Sequence, residues 1–281
     1  MIANARMYTV SAHTAELWHA LLSTLTAQAG LKVDVIEHAP PAAIEDLWQR
    51  TDMAAVFMCG LPYSGASPKP ALIAAPVPSA ADFAGRPEYW SELVVRSDSP
   101  YSDIESTFGG KLCLTAPNSQ SGYAAALQYL MTHVMARDHA QAGVQLPLYR
   151  EVIAPAINPL GAITAVISGA ADVAPIDAYA YRLLQRYRSD LTSKLRTVAR
   201  TARTAIPPLV ASIEAGDALR TAFSQAHRNA ALTPAMAGLE LAKFERPKPL
   251  DYDALRINFN AAKAYWRKNP LATIVHAALV V

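Results

Sequence analysis

The alternation of short apolar runs with helically spaced segments in the first 58 residues constrains the fold more than any other feature of this chain. Residues 6–10 read as a strand. Residues 15–29 read as a helix with Leu17, Trp18, Leu21, Leu22 and Leu25 on its apolar side, stopped by Gly30. A second β-branched run follows at 31–37. Pro40 and Pro41 open a short helix that reaches Arg50, and residues 53–58 form a continuous apolar run typical of a strand buried on both faces. This β-α-β-α-β order predicts an α/β fold with a parallel sheet and crossover helices. Ligands of such sheets bind beyond the carboxyl ends of the strands, which here means the loops at 11–14, 59–64 and 118–123.

The rhythm then changes. Residues 71–77 and 89–96 are extended runs with no helix between them. A second α/β unit follows, with strands expected at 112–114, 148–154 and 171–176 and helices at 160–169 and 177–187. Further strands are expected at 195–199 and 209–212, then helices at 217–227, 234–244 and 252–268. This order predicts an inserted domain: residues 1–91 and 181–281 in one lobe, 92–180 in the other, with crossings near 92–97 and 172–180. A clamshell of this kind closes on its ligand by hinge motion.

The most informative stretch is 111–131, KLCLTAPNSQSGYAAALQYLM. An apolar strand runs into Pro117 and Asn118, then Ser119, Gln120, Ser121 and Gly122, and then a helical Ala/Leu/Tyr segment. The first N–H groups of a helix lack intrahelical partners and carry partial positive charge, so this start attracts an anion. Ser119 and Ser121 add hydroxyls, and Gly122 opens the backbone to close approach. The same serines also suit simple N-capping, and the two roles are compatible.

Composition narrows the function. Hydrophobic residues make up 52% and charged residues 17% of the 281, yet no run reaches the ~18 apolar residues that a membrane helix needs. A net charge of +2 gives no nucleic-acid footprint. The apolar end LATIVHAALVV is too short to span a bilayer and is expected to pack on the fold. Seven histidines are scattered without a helical metal pair, Cys59 and Cys113 read as buried thiols, and there is no P-loop, dinucleotide fingerprint or nucleophile elbow. No cofactor and no metal are expected. Residues 1–10 lack a sustained apolar leader core, so the compartment is expected to be periplasmic if a leader precedes this sequence and cytoplasmic otherwise.

Taken together, several segments resemble the phosphate- and phosphonate-type substrate-binding proteins of ABC transporters, which have the type 2 periplasmic binding-protein fold. They are Met7-Tyr8, Leu17-Trp18, Cys59-Gly60-Leu61-Pro62, Tyr89 with Ser91, Val94-Val95-Arg96, Asn118 to Tyr123, and the run from Ala171 to Asp177. The resemblance runs from about Met7 to Leu184 and weakens beyond. It implies a two-lobed clamshell, each lobe a mixed sheet flanked by helices, that captures a small polar or anionic ligand for uptake or sensing. It also implies a ligand and an ABC transporter permease as partners, with no nucleic acid and no direct membrane insertion.

The resemblance implies roles residue by residue. Tyr8, Gly60 and Tyr63 would line the cleft from the first lobe, and Ser91 would sit beside the hinge. Ser119, Ser121 and Gly122 would take the oxyanion, with Asn118 and Tyr123 beside them, and Asp177 would receive a ligand amine; N-capping is its alternative role. One departure matters. The family carries a Ser-His pair and a later Ser where this chain has Asn158-Pro159-Leu160-Gly161-Ala162. Donors are lost there, Asn158 remains as a candidate contact, and Gly161 and Ala162 are expected to leave extra room. The alternative function class is an enzyme on the same fold, such as a synthase of the thiamine pyrimidine precursor. It would need a reactive histidine and a cofactor arrangement that the motifs do not supply. A regulator's effector lobe is disfavoured by the lack of a helix-turn-helix segment.

Overall fold

The computed structural model describes residues 1–140, 143–156, 158–212 and 216–275. In chain order the first elements are β1 (Ile2–Asn4), α1 (Ala12–Gln28), β2 (Asp34–Val35), α2 (Glu45–Trp48), β3 (Met53–Phe57), α3 (Gly60–Gly65) and β4 (Ala71–Pro78). There follow β5 (Glu88–Tyr89), β6 (Ser91–Arg96), β7 (Lys111–Thr115), α4 (Ala125–His139), β8 (Tyr149–Ala156), α5 (Pro159–Ile167), β9 (Ala174–Asp177) and α6 (Ala178–Tyr187). The last are α7 (Ser189–Thr192), β10 (Leu195–Arg200), β11 (Thr204–Ala205), β12 (Leu209–Ala211), α8 (Asp217–Gln225), α9 (Thr233–Gly238), β13 (Leu241–Glu245), α10 (Pro249–Lys268) and β14 (Ala272–Val275).

The chain divides into two compact units. Unit 1 is Met1–Tyr89 with Thr204–Asp253, and unit 2 is Trp90–Arg203 with Ala254–Val281. This division differs from boundaries at 91/92 and 180/181. Residues 181–203 go with unit 2 because β10 pairs antiparallel with β6, and the end of the chain does so because β14 pairs parallel with β8. Such pairings bring together segments far apart in sequence, which a local reading of periodicity does not register.

Unit 1 holds a mixed six-stranded sheet in the order β13-β4-β12-β3-β1-β2. β1 runs parallel to β2 and β3, and β12 pairs antiparallel with β3 and β4. Every residue of β3 is buried, as its continuous apolar run predicts. α1 buries Trp18, Leu21, Leu22 and Leu25, and the Trp18 ring meets Phe57 edge-on at 5.2 Å.

Several local expectations change in unit 1. The helix expected from Pro40 to Arg50 is confined to Glu45–Trp48, and the expected loop at 59–64 is largely the short helix α3. The first strand lies at Ile2–Asn4, while Arg6–Tyr8 is a 3₁₀ turn. Side chain–backbone bonds turn the chain there: the Arg6 N–H donates to Asn4 Oδ1 at 2.8 Å, and Thr9 Oγ1 donates to the Ala5 carbonyl at 3.0 Å. α1 begins at Ala12, since Ser11 and Thr14 form a reciprocal capping box, so the expected loop at 11–14 is occupied by its own helix. Residues 241–245 are a strand rather than the end of a helix. Glu240 adopts φ 51°, which ends helical propagation, and β13 then pairs antiparallel with β4.

Unit 2 contains two three-stranded sheets, β14-β8-β7 and β10-β6-β9. β7 and β8 are parallel. A parallel bridge between Leu112 and Val173, with the Cys113 N–H donating to the Val173 carbonyl at 2.9 Å, joins the two sheets beside β9. Leu112 and Leu114 of β7 pack with Leu127, Leu130 and Val134 of α4, and with Tyr149 and Val152 of β8. α10 joins this core: Trp266 Nε1 donates to the Leu127 carbonyl at 2.9 Å, and the Phe259 ring meets Tyr123 edge-on at 6.0 Å. Residues 271–275 of the apolar chain end lie in this unit, with Ala272–Val275 forming β14, and 276–281 lie outside the described residues. No helix among the described residues is long and apolar enough to cross a membrane.

Candidate functional site

In unit 2 three strands end at the start of a helix. β7 is parallel to β8 and, through the Leu112–Val173 bridge, to the chain entering β9. Their carboxyl ends therefore share one edge of the unit. Each is followed by a side chain that caps the next helical segment. Ser119 Oγ accepts from the Gly122 N–H at 3.0 Å, Asn158 Oδ1 from the Gly161 N–H at 2.9 Å, and Asp177 Oδ1 from the N–H groups of Tyr179 and Ala180, both at 2.9 Å. The third start is offset by its own Asp177 carboxylate, and the starts at Ser119 and Asn158 leave partial positive charge on this edge where a small anion is stabilised.

The turn after β7 has its own geometry. Residues Gln120–Ala124 are π-helical, with the Ala124 N–H donating to the Ser119 carbonyl five residues back at 3.0 Å. π turns of this kind widen the backbone ring and recur at functional sites. Ser91 Oγ donates to the Ser121 carbonyl at 2.7 Å, and Ser91 also lies opposite Asp177 in the β6–β9 pairing. The Ser91 N–H donates in turn to Thr201 Oγ1 at 2.9 Å. Ser91, Ser121 and Asp177 are thus brought together, although 86 positions separate Ser91 from Asp177 in the sequence (177 − 91).

Gly122 has a precise reason in this structure. A Cβ built on it would stand 2.0 Å from Thr115 Oγ1 and 2.9 Å from both carbons of that side chain. The missing side chain admits Thr115, the last residue of β7, where the sequence suggested room for a ligand. Thr115 lies within the 111–131 stretch but reads there only as the end of its strand, and Thr201 lies in no recognisable motif; packing brings both to the turn. Tyr123 is buried against Phe259, and burial pushes its hydroxyl up to about 12. Asn118 is half-buried and Gln120 buried on the same turn.

In the segment at 158–162, Ala162 is fully buried. Gly161 is exposed, and a Cβ there would meet Ala156 Cβ and Asn158 Oδ1 at an ordinary 3.7 Å, so a small side chain fits.

The other sequence-derived candidates lie in unit 1. Tyr8 is fully buried with its ring edge-on to Phe57 at 5.0 Å. Gly60 opens the short helix α3 and is buried. Tyr63 is buried, meets the Tyr252 ring at 5.1 Å and carries Lys69 Nζ 5.5 Å from its ring centroid. Burial, and secondarily Asp253, raises the Tyr63 hydroxyl. These contacts give Tyr8 and Tyr63 packing roles within unit 1.

Among the described residues no cluster of three or more His, Cys, Asp or Glu is placed to hold a metal. Cys59 and Cys113 are both buried and neither is in a disulfide, and burial pushes the Cys113 thiol up to about 11, away from the reactive thiolate.

This architecture, an α/β chain whose helix starts collect at strand ends, is that of the periplasmic binding proteins. The sequence profile of one family, described as "ABC transporter, phosphonate, periplasmic substrate-binding protein", matches residues 8–252, and the chain belongs to that family. It is a solute-binding protein. A binding protein component of an ABC phosphonate transporter from Pseudomonas aeruginosa superposes with a TM-score of 0.70 at 18% identity, covering 95% of this chain and 86% of the other. PhnD1 from Prochlorococcus marinus, solved in complex with methylphosphonate, gives 0.71 at 14% identity, covering 94% and 98%. A Xanthomonas citri protein solved with a chloride ion gives 0.62 at 15% identity, covering 94% and 98%. At these identities the likeness is one of fold. No curated protein sequence matches the chain.

Proposed function

We propose that unit 2 captures a small oxyanion of the phosphonate or phosphate class on the turn Asn118–Tyr123, flanked by Asn158 and Asp177. The chain would then deliver it to an ABC transporter permease from the periplasm, without catalysing a reaction. The observation that carries this reading is the edge of unit 2 where three capped helix starts meet, with Ser91 tying the central one down. Backbone N–H groups and the hydroxyls of Ser119 and Ser121 supply donors, and none of these groups has to be ionised. Asp177 adds a carboxylate beside the anion site, which suits a ligand that also carries an amine. The proposal rests on unit 2 alone, since Tyr8 and Tyr63 are engaged by packing in unit 1.

Isothermal titration of the purified chain with methylphosphonate, an aminoalkylphosphonate, inorganic phosphate and chloride tests the reading. One of the phosphorus oxyanions is expected to bind, chloride much more weakly, and Ser121→Ala is expected to lower the affinity about tenfold. Absence of binding by all three oxyanions, or an affinity indifferent to Ser121→Ala, removes the assignment. Recovery of the ligand unchanged after prolonged incubation separates capture from turnover.

A further inference from the structure

Thr115 stands out among the buried polar side chains of unit 2. It is 5% exposed at the end of β7, and its Oγ1 is buried with no hydrogen-bond partner among the described residues. A buried hydroxyl left without a partner is costly, and valine has nearly the same shape without that cost. The position of the hydroxyl is also particular. Thr115 Oγ1 lies 2.0 Å from where the Cβ of Gly122 would be, so it occupies the place of a side chain at 122. The turn therefore carries Ser119, Ser121 and, in the place of a third side chain, a hydroxyl delivered by the neighbouring strand.

We propose that Thr115 is a further ligand-binding residue, the third hydroxyl of the oxyanion site, donating to the bound anion once it is seated on the turn. This inference rests on the proposed capture of an oxyanion at 118–123. It accounts for two features together: a glycine at 122, which no positive φ requires, and a threonine in a core position where a hydroxyl has no partner. Three hydroxyl donors around one turn suit a ligand rich in acceptor oxygens, such as a phosphonate or phosphate.

The test compares Thr115→Val and Thr115→Ser with the unmodified chain, using titration with methylphosphonate and inorganic phosphate, and ligand-free thermal unfolding. Thr115→Val is expected to keep or raise the ligand-free unfolding temperature while weakening the oxyanion about tenfold or more. Thr115→Ser is expected to lower the unfolding temperature, having lost a buried methyl, while holding affinity near that of the unmodified chain. A purely structural residue would instead move stability and affinity together. Unchanged affinity in Thr115→Val, or parallel losses in both properties that Ser does not rescue, overturns the inference while leaving the wider reading intact. If the unmodified chain binds neither probe, the oxyanion reading falls and this inference falls with it.

Discussion

The Ser91 hydroxyl donates to the Ser121 carbonyl at 2.7 Å, joining the first residue of β6 to the turn that opens α4. Ser91 is fully buried, and its backbone N–H is taken by Thr201 Oγ1. This serine therefore acts on the site through its neighbours, by fixing the backbone between Ser119 and Gly122. Ser91→Ala is expected to destabilise the chain by about 1 kcal/mol, the net worth of a buried hydrogen bond. It should also weaken oxyanion binding by less than Ser121→Ala does. Urea unfolding with parallel titrations checks both, and a Ser91→Ala chain of full stability would show the tie to be energetically idle.

Gly122→Ala is expected to destabilise the chain by about 1–3 kcal/mol, because its Cβ would overlap Thr115 Oγ1. Thr115→Ala removes that oxygen, so the two substitutions should be coupled: the double variant should be less destabilised than the sum of the singles. A double-mutant cycle in urea measures the coupling. Strict additivity would mean that the turn and β7 do not press on one another.

Asp177 separates capping from ligand recognition. Both its bonds to Tyr179 and Ala180 are made by a side-chain oxygen that asparagine also has. Asp177→Asn should therefore keep most of the stability, whereas Asp177→Ala should cost about 1 kcal/mol through loss of the cap. If the ligand carries an amine, Asp177→Asn should weaken it selectively relative to methylphosphonate. Equal effects on both ligands would confine Asp177 to the cap.

Cys113 predicts alkaline behaviour. Burial raises its thiol from 9.0 to about 11, so the folded chain retains a proton that the unfolded chain gives up between those values. Unfolding thus becomes easier as pH rises: the stabilisation is complete below pH 9 and is lost progressively as pH climbs towards 11. Cys113→Ala should be less stable at neutral pH, having lost buried volume, and should show a shallower decline in this window. Chemical unfolding at a series of pH values from neutral to alkaline reads both. The same slope in both chains would place the alkaline loss elsewhere, for example at Tyr123.

The local chemistry of the site was readable from the residues. Ser119, Asn158 and Asp177 each stand two or three positions before the N–H they accept, a spacing that side-chain capping dictates without help from the rest of the fold. Periodicity likewise found β3, β7, α4 and α6, whose apolar faces are long or continuous. It misplaced β1, since a three-residue strand leaves little pattern and local bonds from Asn4 and Thr9 redirect the chain after it. It read 241–244 as the end of a helix because an isolated alternation of five residues is ambiguous until β4 supplies a partner.

From residue order alone, this chain is an α/β protein with capped helix starts after apolar strands, because i to i+3 capping and helical or alternating apolar spacing are local properties. Tertiary structure decided which of those starts share an edge, that β10 and β14 complete unit 2, and that Thr115 occupies the space Gly122 leaves open. It also decided that Ser91 reaches Ser121 across thirty positions. Those are contacts between segments distant in sequence. They depend on strand pairing and close packing, whose partners are chosen by the fold as a whole.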